Sequence, residues 1–437
     1  MTAPKVPSLG IDDELKRKLL FTFLAVLIYR VGAHIVAPGV NAGALQDFIR
    51  NSGAQGFFNL YDTLGGGLYR ATIFALGIMP YISASIIFQL AGGIVPSVGK
   101  MQKEEEGRKR LTQWTRYLTI FIAFSQAYTF TLFTESIPGA ITTPGFASRL
   151  TMVFTLTAGA IFVMWLGEQI TERGIGNGMS LLIAVSIMER LWPASVGLVR
   201  NVQTSVVSFG GAVLLVVVAI AAIASVVAMT IAARRIPIQI PRKVMGRGRI
   251  REGQKTFIPI RLITAGVMPI VFAQTIIIVP GTVANFTKNA VLTDIANFFT
   301  PGALPYNLAF GIMVLLFSYF YTSIIFNSID LSENLKKQGG FIPGVKPGAA
   351  TADYIDQVLG RVTLPGALFL AAIAILPIVI AKRVGFQAVF GGTSILIVVG
   401  VLLDTIAQVE QHRTLRKYDS FMKTGRVKFR GRQQRFM

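Results

Sequence analysis

The sequence contains about ten apolar runs, each close to the roughly 20 residues that an α-helix needs to cross the hydrocarbon core of a bilayer. Hydrophobic residues make up 52% of the 437 residues and charged residues only 14%, a balance far from that of a soluble domain. We therefore predict an all-α polytopic membrane protein with about ten transmembrane helices. The runs cover 19–37, 71–95, 117–133, 150–167, 179–192, 209–233, 262–283, 306–328, 364–381 and 388–406.

Lysine and arginine residues concentrate in alternate connecting segments. With the N-terminus inside, most of the 42 basic residues fall on the cytoplasmic side, which is the distribution that membrane insertion favours. The asymmetry predicts an even number of spans, with both termini in the cytoplasm. The N-terminal segment lacks the charge pattern and small-residue cleavage site of a signal peptide, so we expect the first span to be retained.

Several kinds of chemistry have no residues to support them. There is no cysteine, and the two histidines, His34 and His412, leave little for a metal site. The apolar runs hold no metalloprotease motif and no carboxylate pair, and the chain has no phosphate-binding lysine loop. An ion-coupled transporter, which remains the alternative, needs charged groups at membrane depth. Here Arg30, Glu168 and Asp404 lie near the ends of runs, where snorkelling or pairing is expected. We predict no cofactor, no metal and no enzymatic activity.

The second run is preceded by a shorter, half-apolar piece, residues 57–70. It carries Asp62, three consecutive glycines at 65–67, and Arg70. Glycines expose backbone polar groups that lipid cannot satisfy, so this piece should lie in a protein-lined cavity. A short half-helix beside a spanning helix suggests a movable gate.

The segment 234–261 alternates apolar residues with others on both sides of a Gly-Arg-Gly centre. Period-two alternation around such a centre is typical of a β-hairpin, which the prolines restrict to short or edge strands. We therefore predict a hairpin that projects into the cytoplasm between the sixth and seventh runs. Its tip carries Arg247, Arg249 and Arg251.

A second cytoplasmic projection lies within 327–363, and a basic tail covers 413–437. Basic tips held away from the membrane suit RNA phosphates or an acidic protein surface, although sparse aromatic residues argue against base-specific reading of RNA. The alternative is that these charges only follow the general distribution across the membrane. The Gly/Pro-rich part of the second projection, 334–348, carries Lys336, Lys337 and Lys346.

A short motif occurs in both halves of the sequence. Residues 75–83 read ALGIMPYIS and residues 264–273 read TAGVMPIVFA, so a Gly-hydrophobic-Met-Pro core lies in the second run and again in the seventh. These runs are the second members of two sets of five, and because five is odd the second set enters the membrane from the opposite side. We predict two inverted pseudo-symmetric halves, 1–208 and 209–437, with a pathway between them.

The residues around the repeated motif are aliphatic. Ile78 and Ile82 lie one helical turn apart, and Val271 has the matching offset in the second copy. Ordinary packing would explain them; facing a pore, they would seal it by dewetting and offer no fixed polar site to a passing molecule. The prolines of the motif, Pro80 and Pro269, are expected to bend their helices.

Four stretches of this chain resemble the SecY/Sec61-alpha family, the channel subunits of the Sec protein translocase. They are ALGIMPYISASIIFQL at 75–90, MWLGEQITERGIGNG at 164–178, GFIPGVKPG at 340–348 and FGGTS at 390–394. The resemblance implies a ten-helix clamshell in the bacterial cytoplasmic (inner) membrane that conducts polypeptides passively. It also implies partners: SecE and SecG subunits, the SecA motor ATPase, the ribosome, signal peptides and nascent chains, and membrane lipids.

The resemblance assigns two sets of residues inside the membrane. The family's hydrophobic pore ring falls on Ile78, Ile82, Met179, Ile183, Val271 and Ile397. The plug, a segment that closes the pore, falls on 57–70 and includes Phe57, Asn59, Asp62, Gly65, Gly66, Gly67 and Arg70. Met179 and Val271 depart from the commoner isoleucine.

The resemblance also assigns a lateral gate and a docking surface. The lateral gate, a seam through which apolar segments leave sideways, lies between the second and third runs on one side and the seventh and eighth on the other. Gln89 and Gln274 are its candidate polar contacts. Contacts with the ribosome or the motor fall on Arg247, Arg249, Arg251, Lys336, Lys337 and Lys346. Lys346 stands where arginine is usual, so a bidentate contact is not expected there.

Overall fold

The computed structural model describes residues 13–51, 67, 70–239, 243–245, 249–251, 255–263, 266–287, 303–384 and 391–424. These residues form a helical protein with one extended β-ribbon. The helices are α1 (Asp13–Gly32), α2 (Ala42–Asn51), α3 (Met79–Ile94), α4 (Pro96–Lys103), α5 (Glu105–Glu135), α6 (Phe146–Arg173), α7 (Gly178–Gln203), α8 (Phe209–Ile231), α9 (Met268–Thr287), α10 (Leu304–Ile325), α11 (Ser328–Lys337), α12 (Ala349–Val384) and α13 (Gly392–Thr424).

Each of the ten apolar runs falls on a helix of the described chain: α1, α3, α5 to α10, α12 and α13. By length and hydropathy, seven helices among the described residues can cross a membrane, and the bent pair α3–α4 would make eight. Helix α1 begins with a charged stretch that includes Lys16, Arg17 and Lys18, so its apolar part is short. The prediction of an all-α polytopic membrane protein is confirmed.

The second run is not one continuous helix. Residues 71–78 form turns, α3 begins only at Met79, and a 109° bend separates α3 from α4. Pro96 begins α4 just after Val95, which has extended backbone angles. Proline lacks an N–H and fits the first helical turn, where that donor would be unpaired anyway. The chain therefore leaves the membrane direction at this elbow.

The repeated Gly-hydrophobic-Met-Pro motif has the same local structure in both places. Gly77 and Gly266 have φ angles of 52° and 61°, a left-handed conformation that favours glycine, and a helix begins two residues later in each case. Pro80 and Pro269 are the second residues of α3 and α9. The prediction that these prolines bend their helices is wrong, because each lies in a first turn where it fits without a kink.

Helices of the first half pack largely on one another, and so do those of the second. Helix α6 contacts α1, α5 and α7, while α12 contacts α8, α10 and α13. Between the two sets, α13 and α8 contact α7, and α9 contacts α3. The close approach of the turns at 71–78 to α6 requires a glycine at Gly159, where a Cβ would lie 1.9 Å from the carbonyl oxygen of Ile73.

The predicted β-hairpin is confirmed. Strands β1 (Ala233–Gln239), β2 (Lys243–Met245), β3 (Arg249–Arg251) and β4 (Lys255–Arg261) pair β1 with β4 and β2 with β3, both antiparallel. Both pairs share one register, so they form a single ribbon. Its base buries Ile236 and Ile260 against Ile355 and Val358 of α12. The hairpin is therefore anchored on the helix and not only tethered by its ends.

We expect Ile260→Ala to loosen this anchor by about 2–4 kcal/mol, because it removes a fully buried side chain from a small apolar cluster. Hydrogen exchange of the ribbon amides would measure the change. Thr256→Ala, an exposed position on the same strand, is the control and should leave exchange unchanged. Equal protection in both variants would show that the ribbon does not depend on its apolar base.

Candidate functional site

Five of the six predicted ring residues line one cavity of about 360 Å³ between the two sets of helices: Ile82, Met179, Ile183, Val271 and Ile397. Each half contributes, since Ile82 is on α3, Met179 and Ile183 on α7, Val271 on α9 and Ile397 on α13. The sixth residue, Ile78, is buried directly before α3 but does not line the cavity.

Polar residues line the opposite part of the cavity wall. Arg116 of α5 and Glu168 of α6 form an ion pair there, with 2.8 Å between Nε and Oε1, and Tyr81 and Glu172 line the same cavity. The cavity therefore combines a polar mouth with an aliphatic constriction. A polar mouth keeps a chain hydrated as it enters, while aliphatic walls exclude water from the narrow part.

The charged residues near the ends of the runs are paired as expected in two cases. Glu168 pairs with Arg116, and Arg30 of α1 pairs with Glu189 of α7. Asp404 lies half-buried in the middle of α13, because that helix continues well beyond its apolar run. Among the described residues, no three His, Asp or Glu side chains are placed to hold a metal ion.

Glycines in the loop between α6 and α7 place Met179 in the ring. A Cβ on Gly178 would lie 2.0 Å from the carbonyl oxygen of Gly167, so the start of α7 can approach the end of α6 only without a side chain there. The Asn177 side chain caps α7 by accepting a hydrogen bond from the Ser180 N–H at 3.3 Å. The Gly176 N–H donates to Gln408 Oε1 of α13 at 2.9 Å, which links this loop to the second half.

The two predicted gate glutamines have different surroundings. The Gln89 amide donates to Ser85 Oγ at 2.7 Å, and its Oε1 accepts a hydrogen bond from the Tyr321 hydroxyl of α10. Gln274 of α9 is 1% exposed, and its Oε1 has no hydrogen-bond partner within the described ranges. Sequence reasoning missed Tyr321. The available signal was a tyrosine within an apolar helix, because a buried hydroxyl usually finds a partner.

Most of the predicted plug lies outside the described residues: Phe57, Asn59, Asp62, Gly65 and Gly66. Gly67 is buried, and its carbonyl accepts hydrogen bonds from the Arg70 and Thr72 N–H groups. Arg70 Nη1 lies 3.6 Å from Glu189 Oε1, so Arg70 and Arg30 share one carboxylate. The end of the predicted plug segment is thus held to α1 and α7.

The two predicted docking loops meet. Gln239, at the end of β1, and Phe341 exchange two backbone hydrogen bonds of 3.0 Å, so the base of the hairpin pairs with the second projection. Lys336, Lys337 and Lys346 are all exposed. The backbone of Arg249 and Arg251 lies in β3, and Arg247 lies outside the described residues. The sequence predicted two separate projections, whereas their bases form one unit.

A multi-pass helical protein whose two halves enclose an aliphatic constriction below a polar mouth is a membrane channel in its architecture. The family model described as SecY matches residues 72–406. The chain is 42% identical over 421 residues to the protein translocase subunit SecY of Aquifex aeolicus, covering 94% of this chain and 97% of that one. It is 39% identical over 429 residues to the subunit of the same name from Escherichia coli K12, covering 96% of each. The chain belongs to the SecY family.

Solved structures show the same fold. A structure described as that of a protein conducting channel aligns with a TM-score of 0.67 at 18% identity, covering 96% of this chain and 98% of that one. Sec61 in the canine ribosome-channel complex aligns with a TM-score of 0.61 at 17% identity, with the same coverage. The alternative of an ion-coupled transporter finds no support in these relatives.

Proposed function

We propose that this protein passes secretory polypeptides across the membrane and releases apolar segments sideways into lipid. The observation that carries the proposal is the cavity whose aliphatic constriction is built by both halves. Aliphatic side chains offer no fixed partner to a passing chain, so polypeptides of many sequences can slide through. In the resting state the same side chains exclude water and ions from the constriction.

The ring acts with two movable parts. The plug segment 57–70 closes the resting pore, and the lateral gate opens between α3 and α5 on one side and α9 and α10 on the other. The apolar helix of a signal peptide replaces helix–helix contacts at the gate and partitions toward lipid. The polar chain that follows then displaces the plug. The halves 1–208 and 209–437 move relative to each other as the gate opens.

Energy for transport comes from partners. The chain carries no phosphate-binding lysine loop, so we assign ATP or GTP hydrolysis to the SecA motor or to the ribosome, and no enzymatic activity, cofactor or metal to this subunit. The joined bases of the hairpin and the second projection form one docking platform, with exposed lysines at 336, 337 and 346. The arginines at 247, 249 and 251 extend this basic surface toward RNA phosphates or an acidic protein.

The membrane setting follows from charge and surface. We place both termini in the cytoplasm of a bacterial cell and the helices in its inner membrane. SecE and SecG subunits and membrane lipids cover the outward apolar faces, which include Phe23 of α1 and Ile220 of α8.

The absence of native cysteine gives a direct test. Single cysteines are placed at Ile82 and Val271, and a secretory precursor with its own cysteine is stalled part-way across membranes. We expect a disulfide between precursor and channel at both positions, because both side chains line the constriction. The bond should disappear when the signal sequence is removed.

Matched controls use the outward face of α8. Ile220→Cys and Val217→Cys carry the same substitutions at exposed positions. A precursor that crosslinks to these positions as strongly as to Ile82→Cys and Val271→Cys would contradict the proposed path. A precursor that matures across the membrane without ever crosslinking at the ring would do the same.

A further inference from the structure

Two polar side-chain contacts in the described part of the chain cross from α3–α4 to α10–α11. One is the hydrogen bond from the Tyr321 hydroxyl to Gln89 Oε1. The other is an ion pair between Lys103 Nζ and Asp330 Oδ2 at 3.6 Å. Both would have to break if α3 and α10 separated.

The two contacts differ in their surroundings. The side chains of Lys103 and Asp330 are 66% and 60% exposed, and ion pairs in such positions contribute little because water screens them. Tyr321 is only 8% exposed. A hydrogen bond between groups that are shielded from water is costly to break without replacement. Of the two contacts, the one at Tyr321 therefore dominates.

Both partners of this hydrogen bond are held in place by their own helices. The Tyr321 ring packs edge-on against Phe272 of α9, with 5.1 Å between ring centroids. The amide of Gln89 is oriented by its hydrogen bond to Ser85, one turn earlier on α3. Little side-chain entropy is lost when the contact forms, so most of its strength is available to keep α3 against α10.

We propose that the hydrogen bond between Tyr321 and Gln89 sets how apolar a segment must be before it opens the lateral gate. An entering apolar helix has no side-chain group that can replace either partner. Its transfer toward lipid must therefore offset the loss of this bond in addition to the loss of packing. Tyr321 is thus a specificity-determining residue, and the inference rests on the lateral gate of the proposed function.

The test compares Tyr321→Phe with the wild-type protein in the assembled translocase. A series of model segments with increasing numbers of leucine in an alanine background is scored for sideways insertion against full translocation. We expect Tyr321→Phe to raise the ratio of inserted to translocated product about fivefold for a segment near the threshold. Its half-point should move to about two fewer leucines.

Tyr319→Phe is a matched control on the same helix. The Tyr319 hydroxyl donates to the carbonyl of Gly360 at 3.2 Å, a contact within the second half that gate opening leaves intact. We expect it to keep the wild-type half-point. Lys103→Gln, which removes the exposed ion pair, should also shift the half-point less than Tyr321→Phe.

A double-mutant cycle separates the contact from general loosening of the gate. In a Gln89→Leu background the hydroxyl has lost its acceptor, so the further change Tyr321→Phe should not move the half-point toward fewer leucines. An equal shift in both backgrounds would overturn the inference. So would a shift no larger than that of Tyr319→Phe. Neither result affects the cysteine crosslinks at the ring, whose failure would instead overturn the channel itself.

Discussion

Replacing Ile183 with asparagine should turn the resting channel into an ion leak. Ile183 is buried on α7 and lines the constriction together with Ile82 and Val271. An amide in this ring gives water a hydrogen-bonding partner, so the constriction wets and hydrated ions follow. We expect resting conductance across planar bilayers to rise more than about tenfold, because dewetting is the barrier being removed.

The control is Ile187→Asn, one turn further along the same helix. Ile187 is also buried but does not line the cavity, so this variant has a similar folding cost without polarity in the constriction. It should conduct close to the wild-type level. If both variants leak equally, the conductance comes from loosened helix packing, and the ring is not the seal.

Gly178→Ala should destabilise the protein by more than about 3 kcal/mol, beyond the usual cost of an overpacked core position. The new Cβ would lie 2.0 Å from the carbonyl oxygen of Gly167 and 2.8 Å from Cβ of Ile170. These are backbone and branched atoms that cannot swing aside. The start of α7 must move, and Met179 moves with it. Thermal unfolding in detergent, followed by tryptophan fluorescence, would measure the loss.

Gly197→Ala, in the same helix, should have the opposite sign. No atom lies within 4 Å of a Cβ at this position, and alanine is favoured over glycine within a helix by about 0.5–1 kcal/mol. The paired result separates the close approach of α6 and α7 from helix propensity. A Gly178→Ala protein as stable as wild type would contradict the tight contact at the start of α7.

Much of the fold was predictable because its signals are local. Helices α5 to α8 follow from apolar length, and the ribbon of β1 to β4 follows from period-two alternation around a glycine-rich turn. The pairing of Glu168 was predictable for a similar reason, since an ionised group near the membrane interior needs a partner. The identity of that partner, Arg116, was not predictable from its place in the sequence.

The repeated motif illustrates the limit of local reasoning. Its two copies were visible in the sequence, yet the roles of Pro80 and Pro269 depended on where their helices begin. A positive φ at Gly77 and Gly266 starts each helix just before the proline, which places the ring outside a kink. Proline is tolerated in a first turn and disruptive in an interior, so the same residue has opposite effects.

What the sequence determined by itself was the class of protein: its apolar spans, its hairpin, its repeated motif and the aliphatic character of Ile82 and Val271. Tertiary structure alone decided which side chains meet across the molecule. Tyr321 and Gln89 are 232 residues apart, and Gln239 and Phe341 join two loops that the sequence separates. Hydropathy and periodicity act within one helix or strand, whereas such contacts depend on how whole helices pack.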